Sequence, residues 1–226
     1  MHTIRHEYSR RAMIAAAGAT AAVASGSGCL GIGGRSESAA SEPPAAALGS
    51  PAEGVTVAIR SEPAPEFDPQ IVHVEVGATV EWLVETGRHD VTAYHEDIRS
   101  FMHQPPDRTP EGVDAWRSDL LDGPGASYAR TFDIEGVYDY VDKQEVCVSH
   151  EVAGNVGRVV VGWPDPDTQP AMDPPPGELP VRVVRALELF NEETRPVLEA
   201  GGDGVADAEG HGTYRPTDRQ LAGSRP

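Results

Sequence analysis

Cys147-Val148-Ser149-His150-Glu151-Val152-Ala153-Gly154-Asn155-Val156-Gly157-Arg158-Val159-Val160-Val161 is the stretch on which the reading of this chain turns. A thiol and an imidazole three residues apart on one tight loop can both reach a single soft metal ion. The apolar run Val159 to Val161 behind them reads as a buried strand. The loop is therefore expected at one end of a β structure.

Working outward, strand signals with a period near two recur between turn residues, the pattern of an all-β sandwich rather than of alternating strands and helices. Val55 to Ile59 alternates, as does Ile71 to Val76 and, after Gly77-Ala78, Thr79 to Val84. Val91 to Tyr94 follows a Gly87-Arg88-His89 turn, and Tyr128 to Ile134 resumes the alternation. Gly136-Val-Tyr-Asp-Tyr140-Val141 runs toward the Cys147 loop, and Val156 to Val161 closes the domain. Between them, Glu96 to Gly125 is long, polar and broken by Pro105-Pro106, Pro110 and Gly123-Pro124, which suggests an excursion outside the sheets.

If His89 folds over to join Cys147 and His150, the donors are two imidazoles and a thiolate. That is the set of a trigonal copper electron-transfer site, normally completed by a weak, long axial ligand such as Met or Gln. Cys147 as a nucleophile with His150 as its base is disfavoured, because no oxyanion hole or third orienting group is evident. His73, inside an alternating strand, reads as a satisfied or solvated side chain, while His95, His103 and Asp97 are candidates for a second metal site.

These residues together resemble the blue-copper family, specifically plastocyanin-like and halocyanin-like cupredoxins. Gly87-Arg-His89-Asp-Val-Thr-Ala-Tyr94 looks like the family's first-histidine strand, and Gly136 to Tyr140 like the strand that leads into its ligand loop. The resemblance covers about residues 54 to 163. It implies a Greek-key β-sandwich holding one mononuclear copper ion on His89, Cys147 and His150, with His150 at the exposed rim. It further implies single-electron exchange with redox donors and acceptors rather than enzymatic turnover. Nitrite reductases and multicopper oxidases share the fold but need further His-rich motifs, which this sequence lacks. A metal-free binding module and a copper storage or delivery protein are the alternative functions.

Two departures stand out. Asn155 occupies the place of the family's axial methionine, where its carbonyl would be a harder oxygen donor or its short side chain would stop short of the metal. Related chains also pass almost directly from the Tyr-Asp-Tyr strand into the cysteine, whereas Val141-Asp-Lys-Gln-Glu-Val146 intervenes here. A bulge or loop must absorb the extra residues, because an odd insertion would otherwise turn Cys147 to the opposite face. Asp90, where an asparagine commonly bridges the two ligand loops, is a smaller change.

The flanks organise around that domain. Residues 1–29 read as an export signal, with Ser9-Arg10-Arg11 as a twin-arginine region and Ala12 to Ala24 as an apolar run too short for a comfortable membrane span. They resemble a twin-arginine lipoprotein signal in which Cys29 becomes lipidated, placing the protein on the outer face of the cytoplasmic membrane, or outside the cell, near membrane-bound partners. No disulfide between Cys29 and Cys147 is expected. Residues 30–53 read as a flexible tether, and 164–226 as a Pro/Asp-rich linker, a short helix from Leu179 to Arg195 with Pro180 at its first position, and a disordered tail. The apolar stripe Val183, Leu187 and Phe190 suits packing on the parent domain.

The net charge of -18 sets 36 acidic residues against 18 basic ones, of which Lys143 alone is a lysine. Such a surface repels nucleic acid phosphates and excludes that class of partner. Its composition resembles proteins of salt-loving archaea, where salt screens the self-repulsion.

Overall fold

The computed structural model describes residues 48–99, 104–143 and 150–201, all within the unit Ser41–Pro226. Cys29, Cys147, the export signal, most of the tether, His103 and the C-terminal tail lie outside the described residues.

The strands are β1 (Ala52–Arg60), β2 (Glu66–Asp68), β3 (Ile71–Val84), β4 (Arg88–His89), β5 (Thr92–Ala93), β6 (Leu121–Asp122), β7 (Ser127–Thr131), β8 (Gly136–Val141) and β9 (Val156–Val161). Two helices join them, α1 (His150–Ala153) and α2 (Val181–Ala200). Hydrogen bonding orders the main sheet β2-β1-β3-β9-β8-β5, with β7 also on β3, while β4 and β6 form a separate pair. This is the expected Greek-key β-sandwich, and its pivot is β3.

The sequence suggested two strands divided at Gly77-Ala78, but β3 runs through both. Its first part, Ile71 to Val74, pairs in parallel with Arg158 to Val161 of β9. Its second part pairs in parallel with β1 and antiparallel with β7. Gly77, at φ 87, bends the strand between these sets of partners, so the glycine redirects the chain without ending the strand.

Two apolar layers result. The interior holds Val57, Ile59, Val80 and Trp82, with Trp82 ringed by Trp116, Tyr128, Phe132 and Tyr140. Alternation then explains β8 and β9, which are buried along their whole length. Tyr138, Tyr140, Val159 and Val161 face the interior, while Val137, Val141, Val156 and Val160 face α2.

The helix buries Val183, Ala186, Leu187, Phe190, Thr194 and Leu198, a wider face than the stripe read from sequence. Each large apolar side chain so buried contributes about 1.5–3 kcal/mol. The helix starts at Val181 with Pro180 as its N-cap, not as its first residue, and runs to Ala200, past the expected end at Arg195. The stretch before it, expected to be a linker, carries 3-10 turns at Pro166–Thr168 and Pro170–Met172 that bury Pro166, Ala171 and Met172.

A buried charge cluster lies under the helix. Asp139 accepts from Arg108 Nε at 2.8 Å and from Arg158 Nε and Nη2 at 2.7 and 3.0 Å. Arg158 also donates to Asn191 and Thr194 of α2, and both arginines donate to the Ala171 carbonyl. The polar excursion contributes no strand to the main sheet, only β6 to its pair with β4, yet it is packed into the fold: Arg108, Val113, Trp116 and Leu121 are buried.

Candidate metal centre

His89 is delivered by a tight turn. Gly87 has φ 89, and a Cβ there would stand 1.8 Å from Ser61 Oγ, so this turn requires glycine. His89 then pairs with Leu121, and Val91 N–H donates to Ser118 Oγ at 3.0 Å. The excursion therefore holds the His89 segment in place.

His150 is not on an open loop but opens α1, whose Glu151 accepts from Tyr94 Oη at 2.8 Å. Burial, reinforced by the Glu151 charge, holds the Tyr94 phenol well above its ordinary value. The turn is thus anchored to the segment after β5. Asn155 follows, fully buried, and its N–H donates to the His150 carbonyl at 3.0 Å.

These elements meet at Asp142, a residue absent from the sequence-based candidates. Its N–H donates to the Asn155 carbonyl at 3.1 Å, extending the β8–β9 ladder by one residue beyond the Val141–Val156 pair. Its Oδ2 lies 2.6 Å from His89 Nδ1, 2.6 Å from His150 Nδ1 and 2.9 Å from Asn155 Nδ2. The two imidazole rings tilt toward each other at 4.9 Å between centroids. Among the described residues, one group of metal-ligating side chains converges in this way: His89, Asp142 and His150, with donor atoms all within 4.8 Å of one another.

The electrostatics follow from burial. Asp142 is fully buried, which by itself raises a carboxyl's pKa, but the hydrogen bonds and charges of His150 and His89 outweigh that and hold it below the ordinary value. Asp90 is pushed the other way, first by burial, although Lys143 N–H donates to its Oδ1 at 2.9 Å. Since Asp90 N–H also donates to Asp142 Oδ1 at 3.1 Å, Asp90 does bridge the two loops.

The described residues fit a copper ion on two counts. Both Nδ1 atoms point to one place, and His89 Nε2–H donates to the Thr86 carbonyl at 2.8 Å, the outer contact that fixes the ring for metal binding. In addition, Asn155 Oδ1 is a buried acceptor with no hydrogen-bond partner among the described residues. Exposure separates the histidines: the His89 side chain is fully buried, while that of His150 is 13% exposed.

His95 belongs to the fold instead. Its Nε2–H donates to the Val113 carbonyl at 3.0 Å and its Nδ1 accepts from Asp97 N–H at 3.1 Å. His73 is likewise satisfied, accepting from Gly49 N–H and donating to the Gly162 carbonyl.

A β-sandwich with two imidazoles converging at one end, on the strand order given above, defines the cupredoxin class. Comparison with known proteins agrees: residues 55–162 match the description "Copper binding proteins, plastocyanin/azurin family". A plastocyanin from Scenedesmus fuscus is 31% identical over 98 residues, 42% of this chain and 85% of that protein. A halocyanin from Natronomonas pharaonis is 34% identical over 97 residues, 42% of this chain. The chain spans about half of the halocyanin's length, 47%. Among solved structures, pseudoazurin from Methylobacterium extorquens AM1 aligns with a TM-score of 0.45 and 22% identity, over 62% of this chain and 98% of that one. The chain belongs to the plastocyanin/azurin family of copper-binding proteins, and copper is the cofactor that this membership assigns to it.

Proposed function

We propose that this protein carries single electrons between redox partners through one copper ion held by His89 and His150, with Cys147 as its thiolate donor. The observation that carries the reading is the convergence of the two Nδ1 atoms, from residues far apart in sequence, at one end of the sandwich. When bound, copper supplies a one-electron couple between Cu(I) and Cu(II).

The chain's own residues supply the rest. His89 is held by the Thr86 carbonyl behind it and by the β4–β6 pair beside it, so it keeps one orientation in both redox states. Little rearrangement means a low barrier to exchange. His150, the more exposed imidazole, is the exit toward a partner. Asn155, in the axial position of the family pattern, presents its amide nitrogen to Asp142, which leaves Oδ1 as the atom available to the metal.

The export signal, lipid attachment at Cys29 and a tether would place the domain outside the cell, near membrane-bound partners in a high-salt setting. No described helix is long and apolar enough to cross a membrane. Adding Cu(II) to purified protein with reduced Cys147 tests the reading. An intense visible thiolate-to-copper band is expected, and its absence would reject the carrier in favour of a metal-free module or of copper storage. Replacing Asn155 by Met should then raise the potential if Asn155 is axial, and leave it unchanged if it is not.

A further inference from the structure

We propose that the Asp142 carboxylate is itself a ligand of the copper, so that His89, His150 and Asp142 form a two-nitrogen, one-oxygen site that binds Cu(II) without any thiolate. This rests on the copper reading above and names a donor that reading lacks.

Position is the first argument. Asp142 directly follows Val141, the last residue of β8. The ladder bond to Asn155 keeps Asp142 in register with β8, so the period of two directs its side chain to the same face as Tyr138 and Tyr140. That face leads to the two histidines. Cys147 comes five residues later in the sequence, whereas the carboxylate already lies 2.6 Å from both Nδ1 atoms.

The second argument is the chemistry of that contact. His89 Nε2–H is committed to the Thr86 carbonyl, so Nδ1 is the ring atom left for a ligand. Its 2.6 Å contact with the carboxylate oxygen is a hydrogen bond, and a divalent ion entering the site would replace the shared proton and draw on both atoms. The same oxygen faces His150 Nδ1 at 2.6 Å, and one divalent ion satisfies all three atoms at once.

Asn155 supplies the third argument, independent of the others. It is fully buried, its Nδ2 donates to Asp142 Oδ2 at 2.9 Å, and its Oδ1 has no hydrogen-bond partner among the described residues. A buried acceptor left unmet is costly, and a cation in the site would offset that cost.

Two imidazoles with a carboxylate form a borderline-to-hard donor set, on which Cu(II) outcompetes the other divalent first-row ions. Such a site favours Cu(II) over Cu(I) and lacks the intense thiolate band. Copper loading and blue colour then become separable properties.

The test uses the full chain with Cys147→Ser. One Cu(II) per chain is expected, with an axial EPR signal, coupling to imidazole nitrogen and no intense visible band. Adding Asp142→Asn should weaken Cu(II) binding by more than the ~10–100-fold that loss of an outer-shell partner costs. Adding Asp142→Cys instead should restore an intense thiolate-to-copper band, a gain that covers the case in which the asparagine variant does not fold. Failure of Cys147→Ser to bind Cu(II) while the unaltered protein does would overturn the proposal, as would equal affinity with Asp142→Asn or a folded but colourless Asp142→Cys. If the unaltered protein binds no copper, the copper reading itself fails.

Discussion

Replacing Asp139 by alanine should be among the most damaging single changes in this protein, and the structure sets the size of the effect. Asp139 is fully buried and accepts three charged hydrogen bonds, from Arg108 Nε and from Arg158 Nε and Nη2. Each such bond contributes about 1.5–3 kcal/mol, so the gross loss is large. Relaxation and the remaining acceptors, the Ala171 carbonyl, Asn191 and Thr194, recover part of it. Breaking one buried pair costs about 3–5 kcal/mol, and here two guanidinium groups lose their carboxylate together. A loss of at least about 4 kcal/mol is expected, against a total stability of about 5–15 kcal/mol. At about 2–4 °C per kcal/mol for a chain of this size, Tm should fall by roughly 8–16 °C.

Urea and thermal unfolding of the copper-free protein read this directly. Hydrogen exchange should show α2 and the Pro170–Met172 turn losing protection first, because Arg158 and Arg108 tie both to the sheet. Burial keeps the cluster from being screened, so the difference from wild type should persist in high salt. A variant within about 1 kcal/mol of wild type would refute the assignment of the cluster as the anchor of α2.

Other changes have separate readouts. Phe190→Ala should cost about 3–5 kcal/mol in urea unfolding, since the ring is fully buried between α2 and the sheet. Gly157→Ala would place a Cβ 2.3 Å from Tyr140 Cζ, and the resulting overpacking should cost about 1–3 kcal/mol; a neutral result would show that Tyr140 can move. His73 is held below its ordinary pKa of 6.5 by burial, with the Gly162 hydrogen bond opposing, so the unfolded chain takes up its proton at a higher pH than the folded one. Its contribution is therefore complete above about pH 6.5 and declines as pH falls toward the folded value, with a slope of at most about 1.4 kcal/mol per pH unit. His73→Gln should flatten that part of the stability–pH curve.

Strands whose two faces differ were legible from the sequence, as the alternation in β1 and β7 shows. So was the pairing of His89 with His150, through the motifs that surround each. Gly77-Ala78 misled because a turn signal and a strand bend look alike until the partners of each half are known. The width of α2's buried face was hidden because Ala186 and Thr194 do not look apolar enough to mark a core. The Asp139 cluster joins residues 31 and 19 positions apart, which no local pattern reveals.

Asp142 is the instructive omission. An aspartate after a strand in an acidic chain resembles a solvated loop residue. Its offset of two and four residues from Tyr140 and Tyr138 is the signal that places it on the interior face, and the cysteine motif beyond it masks that signal.

Pulsed EPR of the full chain loaded with one equivalent of Cu(II) would show whether one copper ion sits between His89 and His150. Coupling to two imidazole nitrogens is expected, reduced to one by His89→Ala; coupling to one or none in the unaltered protein would mean that the two histidines do not share the ion.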